Sequence, residues 1–303
     1  MRRLAIQSAM EYLMTYGWAI LVIAVVLGVL YSLGVFNPEN FAPKAQPGSC
    51  QVYRPNGPET TSFINLVGTC INEAPQYVAQ FDNPIGAPSG ESTSHIIANS
   101  NFNDPNSPGF TITLWYEINT PQVGTQYIDN MVSIPGYTGL EFISVGNNQA
   151  QIFLHRCYTD VGGLTEPYST FFNGQWHFIG VSYNPSNNTY LFMLDNLSGT
   201  VVDSGPFGMS SGSITIGGPS GCVYDEPFNG KLSDIQVYNT TLGTNSIRAI
   251  YNEGIGGAPI QLQGLSDWWP LNGNANDYSG NNNNGVATNV TFTGAWEGGY
   301  SAP

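Results

Sequence analysis

The sequence predicts a mainly β protein in which one long hydrophobic α-helix precedes an antiparallel β-sandwich. Three observations predict this fold class. Short runs of alternating apolar and polar residues recur from residue 109 onward, and turn-forming residues separate them. Residues 12–36 contain no charged side chain. The chain also has 36 glycines and only 9% charged residues, a composition typical of a turn-rich β protein.

The strand runs are regular enough to indicate a sandwich or jelly roll. In "GFTITLWYEI" (109–118) Phe110 and Ile112 fall on one face and Thr111 and Thr113 on the other. "QAQIFLHRCY", "QWHFIGVSYN", "NTYLFMLDN", "GSITIGG" and "KLSDIQVYN" follow at short intervals. One short helix is predicted at "TNSIRAIYNEG", with Thr244 as its N-cap and Gly254 at its end.

The apolar run of residues 12–36 is long enough to span a bilayer, which needs about 20 apolar residues. Arg2 and Arg3 are the basic residues near it, so the charge bias predicts a cytoplasmic N-terminus with the remaining chain outside the cell. The segment from residue 37 is rich in proline and glycine and is predicted to be a stalk.

Charge and cysteine content narrow the function classes. The chain has 7 Lys and Arg against 21 Asp and Glu, and its net charge of -14 argues against a nucleic-acid partner. Four cysteines on the predicted outer side indicate two disulfides. Of the three possible connectivities, Cys50 with Cys70 and Cys157 with Cys222 is favoured. Zinc is disfavoured because the chain has no Cys-x-x-Cys pair and its three histidines are scattered.

Residues 7–36 resemble the N-terminus of archaeal type IV pilin-like proteins with a class III signal peptide, since a short basic leader precedes Gln7, Glu11 and an apolar helix. The resemblance implies that a prepilin peptidase cleaves between Ile6 and Gln7, and that the helices pack into a homopolymeric filament. Ile6 departs from the small residue that the family prefers. Glu11 would pair with the new amine of a neighbouring Gln7. Alternatively, it lies in the headgroup zone near the positive end of its helix.

Residues 76–303 are similar to the laminin G-like, or concanavalin A-like, jelly roll. The motifs "FTITLWY", "GQWHFIGVSY", "FNGKLSDIQVYNTTLGTNSIRAIYN" and "WWPLNGNANDYSGNNNNG" carry the similarity. The last motif usually opens such a domain, so its position here predicts a circular permutation or a truncated second copy. The predicted layout is a leader (1–6), a pilin or transmembrane helix (7–36), a stalk (37–75) and a sandwich (76–303).

The sequence does not predict an enzyme, because the Glu-x-Asp-x-x-Glu pattern of related glycosidases is absent and Asp225 and Glu226 are adjacent. A structural Ca²⁺ ion is predicted at Asp234, Asn274 and Asp277, whereas the alternative reading of the Asn-rich stretch is a plain turn. Four Asn-x-Ser/Thr sequons are candidate glycosylation sites: Asn187, Asn196, Asn239 and Asn289.

These patterns together predict a structural subunit of an extracellular type IV pilus-like filament that displays an adhesive sandwich. The subunit would be anchored in the membrane before assembly and would bind a glycan or another cell-surface ligand. The alternative is a monomeric, membrane-anchored cell-surface lectin that does not polymerise.

Overall fold

The computed structural model describes residue 16 and residues 19–29, 51–53, 65–67, 74–85, 92–100, 109–118, 127–134, 138–156, 159–203, 212–218 and 227–303. The chain divides into two compact units, Met1–Lys44 and Ala45–Pro303.

The first unit contains a helix, α1, at residues 19–29. Its apolar side chains are about half exposed, for example Ile20 at 64% and Val25 at 57%. None of the helices in the described ranges has the length and hydropathy needed to cross a membrane. The long helix predicted over residues 7–36 is therefore not shown. Ile6, Gln7 and Glu11 lie outside the described residues.

Two short strands, β1 (Gln51–Tyr53) and β2 (Asn65–Val67), pair antiparallel in the segment predicted to be a stalk. All four cysteines, and with them both predicted disulfides, lie outside the described residues.

Two antiparallel sheets form the sandwich, which confirms the β-sandwich part of the predicted fold class. Sheet I contains β3 (Val78–Asp82), β5 (Phe110–Glu117), β10 (Trp176–Asn184), β11 (Thr189–Leu194), β12 (Leu197–Val202), β14 (Asn229–Tyr238), β15 (Leu265–Trp269) and β17 (Thr291–Thr293). Its order is β12-β11-β10-β5-β14-β3-β17, and β15 pairs with β14.

Sheet II contains β4 (His95–Ser100), β6 (Tyr127–Ile134), β7 (Thr138–Gly146), β8 (Gln149–Arg156), β9 (Thr159–Pro167), β13 (Gly212–Ile216) and β16 (Gly285–Thr288). Its order is β16-β4-β13-β6-β7-β8-β9. The turn between β7 and β8 places Asn147 and Asn148 at φ angles of 52° and 58°. Asparagine tolerates this left-handed conformation, so the two residues can close a tight hairpin.

The main core lies between the two sheets. Phe110, Ile112, Leu114 and Tyr116 of β5 face into it, as the alternation predicts. All eight residues of β5 are nevertheless buried, including those on the opposite face. Sheet I is therefore covered on both sides.

A second core covers the outer face of sheet I. Trp115 and Phe178 of the sheet pack there with Tyr251, which belongs to the helix α3 (Thr244–Asn252). The helix approaches the sheet at Gly180, where a Cβ atom would collide with Ile247. The short helix α2 (Tyr168–Phe171) follows β9 instead and contributes Phe171 to the main core.

The ends of α3 match the prediction in part. Gly254 has a φ angle of 80° and donates its N–H to the carbonyl of Tyr251, so the predicted C-terminal stop is confirmed. The predicted N-cap is wrong by one position. Thr244 is the first helical residue, and Gly243 precedes it with no side-chain cap hydrogen bond.

The C-terminal segment supplies strands to both sheets, which confirms that residues 265–294 belong to the one sandwich. β15 pairs with β14 and β17 with β3 in sheet I, whereas β16 pairs with β4 in sheet II. The chain end is also tied to sheet I, because the Trp176 indole donates to the carbonyl of Trp296 at 2.9 Å. The circular permutation, which compares strand order between proteins, stays a prediction.

Not every apolar residue of this segment is buried as predicted. Trp269 and Leu271 are fully buried in the main core, and Val290 and Phe292 pack partly against it. Val286 is 70% exposed because β16 is an edge strand and this side chain faces outward beside Ile97.

We expect Trp269→Ala to destabilise the whole sandwich by about 3–5 kcal/mol, because it removes a fully buried indole from the main core. Thermal unfolding followed by circular dichroism should show one cooperative transition at a lower temperature. Val286→Ala is the matched control and should change stability by less than about 0.5 kcal/mol. Equal unfolding temperatures for Trp269→Ala and the wild type would mean that the C-terminal segment is dispensable for the stability of the sandwich.

Candidate functional site

The outer face of sheet II carries a continuous cross-strand row of residues. The strand registers place one residue from each of the seven strands side by side. We call these residues the outward row: Val286, Ile97, Thr215, Ser133, Gly139, His155 and Asp160. The row begins with two exposed apolar side chains and becomes polar towards β9.

The centre of the outward row is polar and buried. Gly139 has no side chain, and the Glu141 carboxylate and the Asn130 carboxamide occupy the space where its Cβ would point. Asn130 donates from Nδ2 to Ser133 Oγ at 2.7 Å, and its Oδ1 accepts no hydrogen bond from the residues that the structure describes. Glu141 and Asn130 are both 0% exposed. A buried amide, hydroxyl and carboxylate therefore lie together beneath this face.

An imidazole–carboxylate pair lies at the β9 end of the row. His155 Nδ1 lies 2.7 Å from Asp160 Oδ1, and the side chains are 4% and 38% exposed respectively. If Nδ1 carries the proton that Asp160 accepts, the carboxylate fixes both the tautomer and the orientation of the ring. The exposed carboxylate of Asp160 is therefore the part of this pair that a hydroxyl-rich ligand can reach.

The residues predicted to bind calcium are engaged by protein donors. Both oxygens of Asp277 accept hydrogen bonds, from the backbone N–H groups of Trp268, Ser279 and Asn283 and from the Ser279 hydroxyl. Asn274 Oδ1 accepts the N–H of Asn276 at 2.9 Å. A calcium ion would have to displace these donors.

Asp234, the third predicted ligand, is buried on the other side of Trp268. It accepts the Trp268 indole N–H at 2.8 Å and the amide of Gln236. The described residues contain no group of three or more His, Cys, Asp or Glu side chains that could hold a metal ion. The carboxylates of Asp234 and Asp277 thus bind different groups of one tryptophan, and calcium at this place stays a prediction.

Burial raises the pKa of Asp234 from 3.8 to about 7, and hydrogen bonds from Gln236 and Trp268 only partly oppose that shift. Asp267 behaves similarly. Its burial raises the pKa to about 6, although Ser100 and Asn283 donate hydrogen bonds to it. Because Ser100 belongs to sheet II and Asp267 to sheet I, this contact also joins the two sheets.

His177 has a structural environment, as its place in a strand suggests. Its Nδ1 lies 2.7 Å from Asp195 and its Nε2 lies 3.0 Å from Asn173, so both ring nitrogens are engaged. Asp225 and Glu226 lie outside the described residues.

The four sequons differ in accessibility. Asn187 and Asn196 are exposed in the turns at the two ends of β11, and Asn239 is half-buried after β14. Asn289 is exposed, but its Nδ2, the atom that would carry a glycan, donates to the carbonyl of Thr93 at 2.9 Å. The turn sites Asn187 and Asn196 therefore offer the freer acceptors.

Sequence reasoning missed the polar part of the outward row. Glu141 and His155 lie 14 positions apart in the chain, and only the strand register brings them to one face. The Asn147-Asn148 turn was a sequence signal for part of this arrangement, because the turn sets the register of β7 with β8. The register of β8 with β9 could not be predicted from the sequence, because the pairing has an irregularity between Gln151 and Phe153.

These features define a two-sheet jelly roll. Both faces of sheet I are covered, whereas the outer face of sheet II carries the outward row. The sequence model of the concanavalin A-like lectin/glucanases superfamily matches residues 89–248, which is more than half of the chain. The chain therefore belongs to this superfamily. The match ends before β15, so the last three strands lie beyond it.

Solved structures share the fold at low identity. A candidate carbohydrate-binding protein from Bacteroides ovatus aligns with a TM-score of 0.51 at 14% identity, over 76% of this chain and 63% of that protein. A heptameric SAP-like pentraxin from Limulus polyphemus aligns with a TM-score of 0.50 at 12% identity, over 72% of this chain and 94% of the pentraxin. These similarities concern the fold alone. A search of curated proteins gives no match.

We expect stability to fall as the pH rises from about 4 to about 7. The folded protein keeps a proton on Asp234 up to about pH 7, whereas the unfolded chain releases it near 3.8. The folded state thus binds more protons in this window, and the free energy of unfolding decreases by up to about 1.4 kcal/mol per pH unit. Urea unfolding at several pH values measures this slope.

Asp234→Asn should flatten the slope, leaving the smaller contribution of Asp267 between about pH 4 and 6. Asp82→Asn, which changes an exposed aspartate, is the control and should keep the wild-type slope. An unchanged slope in Asp234→Asn would show that this carboxyl group does not keep its proton.

Proposed function

We propose that the sandwich is a glycan-binding domain that binds without cleaving, displayed at the cell surface by the N-terminal segment. The outward row of sheet II carries this proposal. Its accessible polar members, the half-buried Thr215 and the exposed Asp160, supply a hydroxyl and a carboxylate, and such groups form hydrogen bonds with the hydroxyls of sugars. The outer face of sheet I cannot serve in the same way, because α3 and the chain end cover it.

The superfamily supports the proposal at the level of ligand class, since its name joins lectins and glucanases, both of which act on carbohydrate. The Bacteroides ovatus neighbour is also named for carbohydrate binding. The net charge of -14 favours neutral over anionic glycans, because like charges repel.

Hydrolysis is the competing function, and one observation favours it. The His155–Asp160 pair beside Glu141 resembles the acid–base groups of hydrolases. One observation favours binding, because the sequence lacks the paired carboxylates that glycosidases of this shape place on one strand. Assays for released reducing ends separate the two functions.

The N-terminal segment adds a proposal about assembly, which rests on the sequence alone. Cleavage between Ile6 and Gln7 would make Glu11 the fifth residue of the mature chain. A carboxylate within a bundle of apolar helices is costly unless it is paired, and the new amine of a neighbouring Gln7 would pair with it. The chain would then be a filament subunit. If the leader is retained, it would be a monomeric membrane-anchored lectin.

Glycan binding is tested with the full chain in detergent on an array of printed glycans. We expect binding without release of reducing sugar. Thr215→Lys, which places a long charged side chain in the middle of the outward row, should weaken binding at least about tenfold, or about 1.4 kcal/mol. Leu197→Lys on the opposite sheet is the control and should bind normally, because Leu197 is 44% exposed on the edge strand β12. Absence of binding in the wild type would refute the proposal.

Assembly is tested in cells that express the full chain. We expect Glu11→Ala to abolish filaments in electron micrographs while the protein still fractionates with membranes, because the variant loses only the carboxylate. Ser8→Ala, three positions earlier in the sequence, is the control and should assemble. Filaments whose subunits still begin at Met1 would contradict the pairing of Glu11 with a processed N-terminus.

A further inference from the structure

Two tyrosines are exposed at one place on the sandwich. Tyr77 is 36% exposed and Tyr278 is 43% exposed, whereas the other large exposed apolar side chains described between residues 74 and 303 are aliphatic. Both rings adjoin the loop that joins β15 to β16, so the exposed aromatic surface is concentrated there.

The ring of Tyr77 lies between two glycines. A Cβ atom on Gly273 would be 3.2 Å from Cδ2 of the ring, and one on Gly294 would be 3.9 Å from Cδ1 and Cε1. The backbone N–H of Tyr77 donates to Asn272 Oδ1 at 2.9 Å, which fixes the residue against the loop. A side chain at Gly273 would crowd the ring, and its absence lets the loop backbone lie close to Tyr77.

Tyr278 is held by the same loop. Its ring packs edge-on against Trp268 at 6.0 Å, and its backbone N–H donates to the Trp268 carbonyl at 2.8 Å. Its hydroxyl accepts the Asn274 amide at 3.3 Å. Since Tyr77 contacts Gly273 and Tyr278 contacts Asn274, two consecutive residues connect the two rings.

The described surroundings of the rings are rich in amides. Gln76, Asn272 and Asn276 are exposed. The nearest acidic residue in the loop, Asp277, has both carboxylate oxygens occupied by protein donors. Among the described residues, this surface therefore offers phenol rings and carboxamides, and protein donors occupy its carboxylate, Asp277.

We propose that Tyr77 and Tyr278 form a stacking surface for a neutral hexose unit of a glycan. Tyrosine supplies a large rigid contact area at low entropic cost, and the C–H face of a pyranose ring packs against it. The neighbouring amides then donate to and accept from the sugar hydroxyls. This inference rests on the proposed glycan binding and adds a contact surface that the outward row does not include.

The test uses the full chain in detergent, an array of neutral hexose oligosaccharides with their sialylated counterparts, and calorimetry with the neutral oligosaccharide that binds best. We expect Tyr278→Ala and Tyr77→Ala each to weaken binding about tenfold, which corresponds to about 1.4 kcal/mol. Tyr278→Phe keeps the ring and should bind within about threefold of the wild type. Val202→Ala removes an exposed side chain from the edge strand β12 of sheet I, away from both surfaces, and is the control.

The outcomes separate this inference from the proposed function. Wild-type binding that both alanine variants retain would overturn the stacking surface and leave glycan binding intact. Binding restricted to sialylated glycans would also overturn it, because the proposal assigns a neutral hexose to this surface. Absence of binding by the wild type would overturn both. Unfolding temperatures of the variants close to that of the wild type would show that the lost affinity is not a loss of fold.

Discussion

The sandwich depends on the pairing of β14 with three other strands. One edge of β14 pairs with β5, and the other edge pairs first with β3 and then with β15. At the changeover, Asp234 adopts a φ angle of 47° and accepts the indole N–H of Trp268 from β15. Because β3 comes from the start of the sandwich and β15 from near its end, β14 joins both ends of the chain to the central sheet.

This arrangement determines which surfaces remain for a ligand. With β15 fixed on β14, the following chain reaches both sheet edges as β16 and β17, and the last residues cover sheet I beside α3. Sheet I is therefore closed on both faces. The exposed part of the outward row of sheet II remains, together with Tyr278 of the β15–β16 loop and the adjacent Tyr77. Both surfaces are consequences of where the C-terminal segment lies.

The local pattern of the sequence is sufficient to predict the β-sandwich. It is not sufficient to predict which residues form the candidate site. Alternation in β5 and the glycine at 254 predicted a strand and a helix end, since both depend on neighbouring residues. Thr244 was assigned as the N-cap because its type suits that role, although the turn places Gly243 there. Glu141 and His155 could not be predicted to be neighbours, because their proximity depends on register and on the absent side chain of Gly139.

Native-state hydrogen exchange of the full chain tests the central claim most directly, because it reports the opening free energy of each strand separately. The account predicts that amides in β15 and β17 exchange only through the same global unfolding as those in β5 and β10, with equal opening free energies. Exchange of β15 and β17 at a much lower opening free energy, while β5 and β10 stay protected, would contradict it. The C-terminal segment would then be an appendage that neither completes the sandwich nor determines its open surfaces.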